Sequence, residues 1–300
     1  MKRRTCFLLL GVASLLGEIQ AIQIPDVGLR AAVQAALGVT STDFTEEQML
    51  SLEELDASRR TRGADAPFIK TLEGLQYAKN LKTLLLRGDL QSGDEKPNTG
   101  PVIDLSPLQP LSQLEVLDIQ LNQLISFSLP PGLTNLHTIK VQSIEPTLTS
   151  VQLPDGLSKL EVLLLGKTSL TEFEFPAGLD SLKSVGVLRW NKLTKLTLPA
   201  ELPRLEELSV RENPLLEELN LPETLPKVTM LRIFDCPSLQ SVVLTGHMPT
   251  LMEARIQASG IDGVSLEGQF PALEVLSLRN NWYSTFSLSG EFPALSGLEL

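Results

Sequence analysis

The chain has 300 residues, with 25 Lys and Arg against 36 Asp and Glu, a formal net charge of −11 and 42% hydrophobic residues. An acidic surface without a dominant basic patch argues against nucleic acid as a partner, and two cysteines are too few for a disulfide framework. That length would ordinarily mean two domains, but a repeat running along most of the chain replaces that expectation with one solenoid built on one core.

The N-terminus reads as a secretory signal over residues 1–21. Lys2, Arg3 and Arg4 form a basic start, and the apolar run from Cys6 to Leu16 is too short to cross a bilayer. Cleavage is expected after Ala21, in the run EIQA; the alternatives are an uncleaved anchor or a buried helix. No other run is long and apolar enough for a membrane span. Once the signal is removed, Cys236 is the last cysteine and no intramolecular disulfide can form. The chain also lacks any N-x-S/T acceptor, and both absences point to a bacterial-type exported protein rather than an animal receptor.

Residues 22–51 are expected to form a helical N-terminal cap. Pro25 or Asp26 can start a helix, apolar residues recur at Leu29, Val33 and Leu37, and Gly38 is a suitable stop. A second short helix should begin at Thr45, with Glu46 and Glu47 in its first turn. Leu52 to Ala57 (LEELDA) reads as a degenerate first repeat.

From there to residue 300 the phrase L-x-x-L-x-L keeps returning. Its opening slot is held by Leu81, Leu114, Leu136, Leu160, Leu182, Leu205, Val228, Leu251, Leu273 and Leu295, with steps of 22, 24, 22, 23, 23, 23, 22 and 22 residues from Leu114 onward. A period in the low twenties with this phrase is that of a leucine-rich repeat. The alternating leucines have the two-residue period of a strand, and one such strand cannot bury its apolar face alone. Stacked copies make a parallel sheet on the concave face of a horseshoe.

The ninth slot, held by Asn122, Thr168, Asn213, Cys236, Ser259 and Asn281, should satisfy the backbone of the turn that leaves the strand. In the repeat from Leu182 the strict count gives Trp190, and a one-residue bulge would give Asn191, with Leu193 in the next apolar slot. The bulge is the favoured reading. Leu-Pro pairs and a column of Pro203, Pro226, Pro249, Pro271 and Pro293 predict short extended or 3-10 returns on the convex side.

The segments IPDVGLRAAVQAALG, TEEQML, LEELDAS and LEGLQYAKNLKTLLLRGD together resemble the cap and first repeats of internalin-like secreted bacterial leucine-rich-repeat proteins. IDLSPLQPLSQLEVLDIQLNQL is similar to their repeat; later repeats, with Leu-Pro on the return half, are leucine-rich repeats of a more general kind. The resemblance implies binding of a protein or glycan partner on the concave face, outside the cytoplasm.

Two insertions interrupt the period: residues 57–68, with Arg59, Arg60 and Arg62, and residues 89–102. Each is either a neutral loop or a rim that touches ligand. The final repeat is incomplete at Leu300, so more protein is expected beyond it.

Catalytic chemistry has little to draw on. His137 and His247 lie five repeats apart, roughly 24 Å at the strand spacing. Cys236 should face inward as a structural thiol, and no phosphate loop, zinc spacing or calcium loop is present. No cofactor or metal is expected.

The residues between the leucines form columns across the concave face. One runs Arg87, Gln120, Gln142, Gly166, Leu188, Arg211, Phe234, Gln257, Arg279; its neighbour runs Leu85, Asp118, Lys140, Leu164, Gly186, Ser209, Arg232, Arg255, Ser277. Arg232 and Arg255 should lie side by side. Two readings stay open: a solvated ion-pair lattice with Glu207, Glu212, Asp235 and Glu253, or a ligand-binding surface of Arg211, Arg232, Phe234, Arg255 and Arg279 with Trp282 on its edge. The smaller or apolar residues Leu164, Gly166, Gly186 and Leu188 would seat an apolar ridge of the ligand.

The expectation for the whole is a non-enzymatic binding module, secreted or at the cell surface. The alternative is a spacer, or a substrate-selecting region, of a larger surface protein.

Overall fold

The computed structural model describes residues 21–63, 66–67, 69–88, 104–121, 124–143, 147–189, 192–281 and 285–300. All of the expected signal segment but Ala21, the second insertion, Asn122, Trp190, Asn191 and Trp282 lie outside those residues.

The cap forms where the capping residues place it. Its first helix is Val27–Leu37, with Asp26 as N-cap and Gly38 closing it at φ 65°. The Asp26 carboxylate accepts from the Leu29 N–H at 2.8 Å, and its second oxygen accepts from the Lys70 N–H at 2.8 Å. One buried side chain thus caps the helix and ties it to the first repeats. The second helix, Glu46–Leu50, opens on a capping box between Thr45 and Gln48.

Eleven parallel strands follow in strict chain order: Glu54–Asp56, Thr83–Arg87, Val116–Leu121, Thr138–Ser143, Val162–Gly166, Ser184–Leu188, Glu207–Arg211, Met230–Phe234, Glu253–Gln257, Val275–Ser277 and Gly297–Glu299. The opening leucine slot is at most 1% exposed from Leu81 to Leu273, and the second and third apolar slots are buried with it, as at Leu208, Val210, Leu231 and Ile233. The fold is a leucine-rich-repeat solenoid with one continuous core.

A left-handed corner ends each strand in the later repeats. Lys167, Arg189, Glu212, Asp235, Ala258 and Asn280 all have φ between 48° and 65°. At five of these corners the N–H donates to the carbonyl of the following repeat, as in Glu212 to Phe234 at 2.8 Å. Those lateral bonds are common to neighbouring repeats and hold the unfavourable φ in place. Arg189 keeps the unshifted corner position, and Leu193 is buried as expected.

The buried ninth slot completes the corner. The Asn281 amide donates to the carbonyls of Ile256 at 2.7 Å and Leu278 at 2.8 Å, and its oxygen accepts from the Ser259 N–H at 2.9 Å. Ser259 Oγ in turn accepts from the Cys236 N–H at 3.3 Å.

The returns are more regular than the prolines predict. Short 3-10 turns occur early, at Leu75–Tyr77 and Ser106–Leu108. Later returns pair into a second parallel sheet in three pieces: Ser126–Ser128 with Ser150–Gln152, Lys195–Thr197 with Glu218–Asn220, and Ser241–His247 with Gly263–Gln269 and Thr285–Leu288. Proline sets the lengths. Lys195–Thr197 ends two residues before Pro199, because proline brings no N–H to the ladder. Ser241–His247 runs to seven residues because its proline stands later, at Pro249.

Residues 172–174 pair with neither neighbour. In that return both inward slots hold rings, Phe173 and Phe175, packed edge to face at 4.8 Å. Every paired return has an aliphatic residue in at least one of these slots. A cavity of about 390 Å³ opens between residues 149–155 and 170–176.

Candidate ligand-binding face

The alternation that buries the leucines turns every second side chain outward, and the register fixes which of them are neighbours. Arg232 is the Cα partner of Arg255, and Arg211 of Phe234. The first predicted column holds in register from Arg87 to Gln257 and the second from Leu85 to Ser277: Gln142, Gly166, Leu188 and Arg211 lie in line, as do Lys140, Leu164, Gly186 and Ser209, while Arg279 lies past the end of its strand.

Each adjacent arginine turns to a carboxylate on the same face. The Arg232 guanidinium donates to Glu207 at 2.7 Å, from the neighbouring strand. Arg255 pairs with Glu253 of its own strand, and Arg279 with Glu299 at 3.1 Å. The like-charge contact between Arg232 and Arg255 is relieved in this way, as an ion-pair lattice requires. Glu212 serves Arg189 instead, at 3.2 Å on the rim.

Arg211 differs from the other three. Its guanidinium stacks on the Phe234 ring with 4.7 Å to the centroid, and no carboxylate among the described residues pairs with it. Beside it the face turns apolar through Leu188, Gly186, Leu164 and Gly166. The two glycines do not leave open slots. A Cβ at Gly186 would touch Leu164 and Leu188 at 3.4–3.7 Å, and one at Gly166 would meet Gln142 at 3.0 Å. The neighbours lean into the vacant space, so the patch is flat and offers no groove for a ridge.

The N-terminal end is built differently. Asp118 faces the concave side yet is 1% exposed, and Arg87 covers it at 2.6 Å while Gln120 donates at 3.0 Å. From the first insertion, Arg62 donates to the carbonyls of Ala57, Pro67 and Gly28, at 3.1, 2.7 and 3.5 Å. That arginine staples the loop to the cap.

The sheet register, leucine core and corner ladder define the architecture. Its neighbours among solved structures are internalins and other leucine-rich-repeat proteins. Internalin C2 of Listeria monocytogenes is 21% identical, with 79% of this chain and 86% of that one covered at a TM-score of 0.47. A second internalin of that organism, InlF, is 17% identical, with 90% and 97% covered at 0.39. The leucine-rich-repeat ectodomain of the plant receptor kinase GASSHO1/SCHENGEN3 from Arabidopsis thaliana, solved with Casparian strip integrity factor 2, is 19% identical, with 73% and 40% covered at 0.27. The sequence matches no family model and no curated protein.

Groups that chemistry would need are spread over this leucine-rich-repeat frame. His137 precedes a concave strand, whereas His247 ends a return strand. Cys236 lies in the turn slot, with Sγ 3.4 Å from the Phe234 carbonyl, and burial pushes its thiol up to about 11. Among the described residues no group of three or more His, Cys, Asp or Glu side chains is placed to hold a metal ion, and no helix is long and apolar enough to cross a membrane.

Proposed function

We propose that the chain is a binding module without catalytic activity, exported from the cell, which presents its concave sheet to a protein or glycan ligand. The observation that carries this reading is the fixed state of the outward arginines. Glu207, Glu253 and Glu299 hold Arg232, Arg255 and Arg279, and the Phe234 ring holds Arg211. Side chains already ordered on a rigid sheet lose little entropy on binding, and arginine and aromatic residues are the types over-represented in binding hot spots.

The proposed contact residues are Arg211, Arg232, Phe234, Arg255 and Arg279, and the sequence adds Trp282 at the edge. Residues 1–21 would direct export. The test is capture of partners from cognate material by the repeat region, compared with a variant carrying Arg232→Ala, Phe234→Ala and Arg255→Ala. The variant is expected to stay folded by circular dichroism and to lose the captured partner. Undiminished capture would overturn this reading.

A further inference from the structure

The middle of the concave face has an arrangement that the arginine cluster does not share. Leu164 and Leu188 are half-buried, and Gly166 and Gly186 lie diagonally between them, making one flat apolar patch. On its N-terminal side stands Lys140, the register partner of Leu164; on its C-terminal side stands Arg211, the partner of Leu188. Neither cation has a carboxylate partner among the described residues, whereas Arg232, Arg255 and Arg279 are each neutralised. Arg87, farther toward the N-terminus, is held by Asp118. The unneutralised positive charge of this face therefore sits at the two ends of its apolar part.

Three strand spacings and a two-residue offset place Lys140 and Arg211 about 16 Å apart at the backbone. Arg211 rests on the Phe234 ring and Lys140 stands in register with Asp118, whose carboxylate is taken by Arg87, so each keeps a charge for an incoming anion, whereas a salt-bridged cation must first give up a partner. A flat apolar surface favours a segment that lays aliphatic or aromatic side chains across it.

We infer that residues Lys140 to Arg211 take a protein segment with an apolar stretch flanked by a carboxylate on each side, the two carboxylates four to five residues apart if the segment is extended, at about 3.3 Å per residue. This rests on the proposal that the concave face is the binding face, and it names the chemistry of the partner. The acid requirement is local. The chain as a whole carries a charge of −11, so a uniformly acidic partner meets a net repulsive field, and only carboxylates brought close to the two cations gain from them.

The experiment is selection of a random linear peptide display library on the repeat region. It is run in parallel on two variants, Gly186→Arg and the double charge reversal Lys140→Glu with Arg211→Glu. Gly186 has negative φ and only ordinary contacts at its Cβ position, so the substitution should fold while blocking the patch. The expected result is enrichment of peptides with Asp or Glu on both sides of an apolar run. Their binding should weaken by roughly a hundredfold or more in the double charge reversal and be lost in Gly186→Arg.

Peptides that are lost in Gly186→Arg but show no acidic preference would overturn the inference and leave the concave binding face standing. Peptides indifferent to every concave variant would overturn both. Failure to enrich any peptide, with a glycan array instead giving ligands that Gly186→Arg abolishes, would also overturn it, because the partner would then be a carbohydrate.

Discussion

The guanidinium carbon of Arg211 lies 4.7 Å from the centroid of the Phe234 ring, one strand away and in direct register. The contact joins the apolar middle of the concave face to its arginine-rich end. A double-mutant cycle with Arg211→Ala and Phe234→Leu should return a coupling of about 0.5–1 kcal/mol in urea denaturation, the size expected of an exposed cation–π pair. A coupling indistinguishable from zero would mean that the stack does not order the arginine.

Asn281→Ala should destabilise the solenoid by about 1–3 kcal/mol, because the carbonyls of Ile256 and Leu278 and the N–H of Ser259 would lose their partner. Asn220→Ala is the contrast. Its amide donates to Thr197 and Glu218 on the exposed return side, and its loss should cost less than about 0.5 kcal/mol. Chemical denaturation of the two variants gives the comparison.

Much of this architecture was legible in the sequence. The leucine slots alone predict which side chains share a column, from Arg87 and Gln120 through Arg232 and Arg255, because a strand period of two leaves no freedom once the apolar face is assigned. The partner of each arginine was not legible: Arg232 takes a glutamate from the preceding strand, and Arg255 takes one from its own. Rotamers decide that choice, and the strand period does not fix them. Lys140 appears in the predicted column, but that no carboxylate among the described residues pairs with it is visible only in three dimensions. The left-handed corners were also missed. Lys167, Arg189, Glu212 and Asp235 are not residues that advertise positive φ, and the signal was their fixed place directly after the strand. The paired returns were hidden by weighing the prolines that are present more than the long run from Ser241 to His247 that has none.

Cys236 makes stability depend on alkaline pH. Its thiol is raised from 9.0 to about 11 chiefly by burial, so the unfolded chain ionises first. The stabilisation is whole below pH 9 and disappears as pH climbs toward 11, by an amount on the order of 2–3 kcal/mol. Wild type and Cys236→Ala should therefore converge in denaturation midpoint across that window. At pH 8 the native thiol should resist a thiol reagent that labels it readily in denaturant.

Asp26→Ala should release the cap without unfolding the repeats. The N–H groups of Leu29 and Lys70 would both lose their acceptor, at a cost of about 1–3 kcal/mol. Amides of residues 27–37 should then exchange faster with deuterium, while those of strands such as Met230–Phe234 keep their protection. Equal acceleration in both regions would show that the cap is not a separate unit.

The interruption at Phe173 and Phe175 gives the solenoid a mechanical seam. The outer ladder is also broken once between Glu218–Asn220 and Ser241–His247, but at residues 172–174 it is missing on both sides, and there the concave sheet with its leucines carries two successive junctions without it. In an array where each coil is held only by its neighbours, bending and partial opening concentrate at the least-braced joint. That joint adjoins Leu164 and Gly186, so a flexing seam would alter the curvature of the wall just where an incoming segment is proposed to lie.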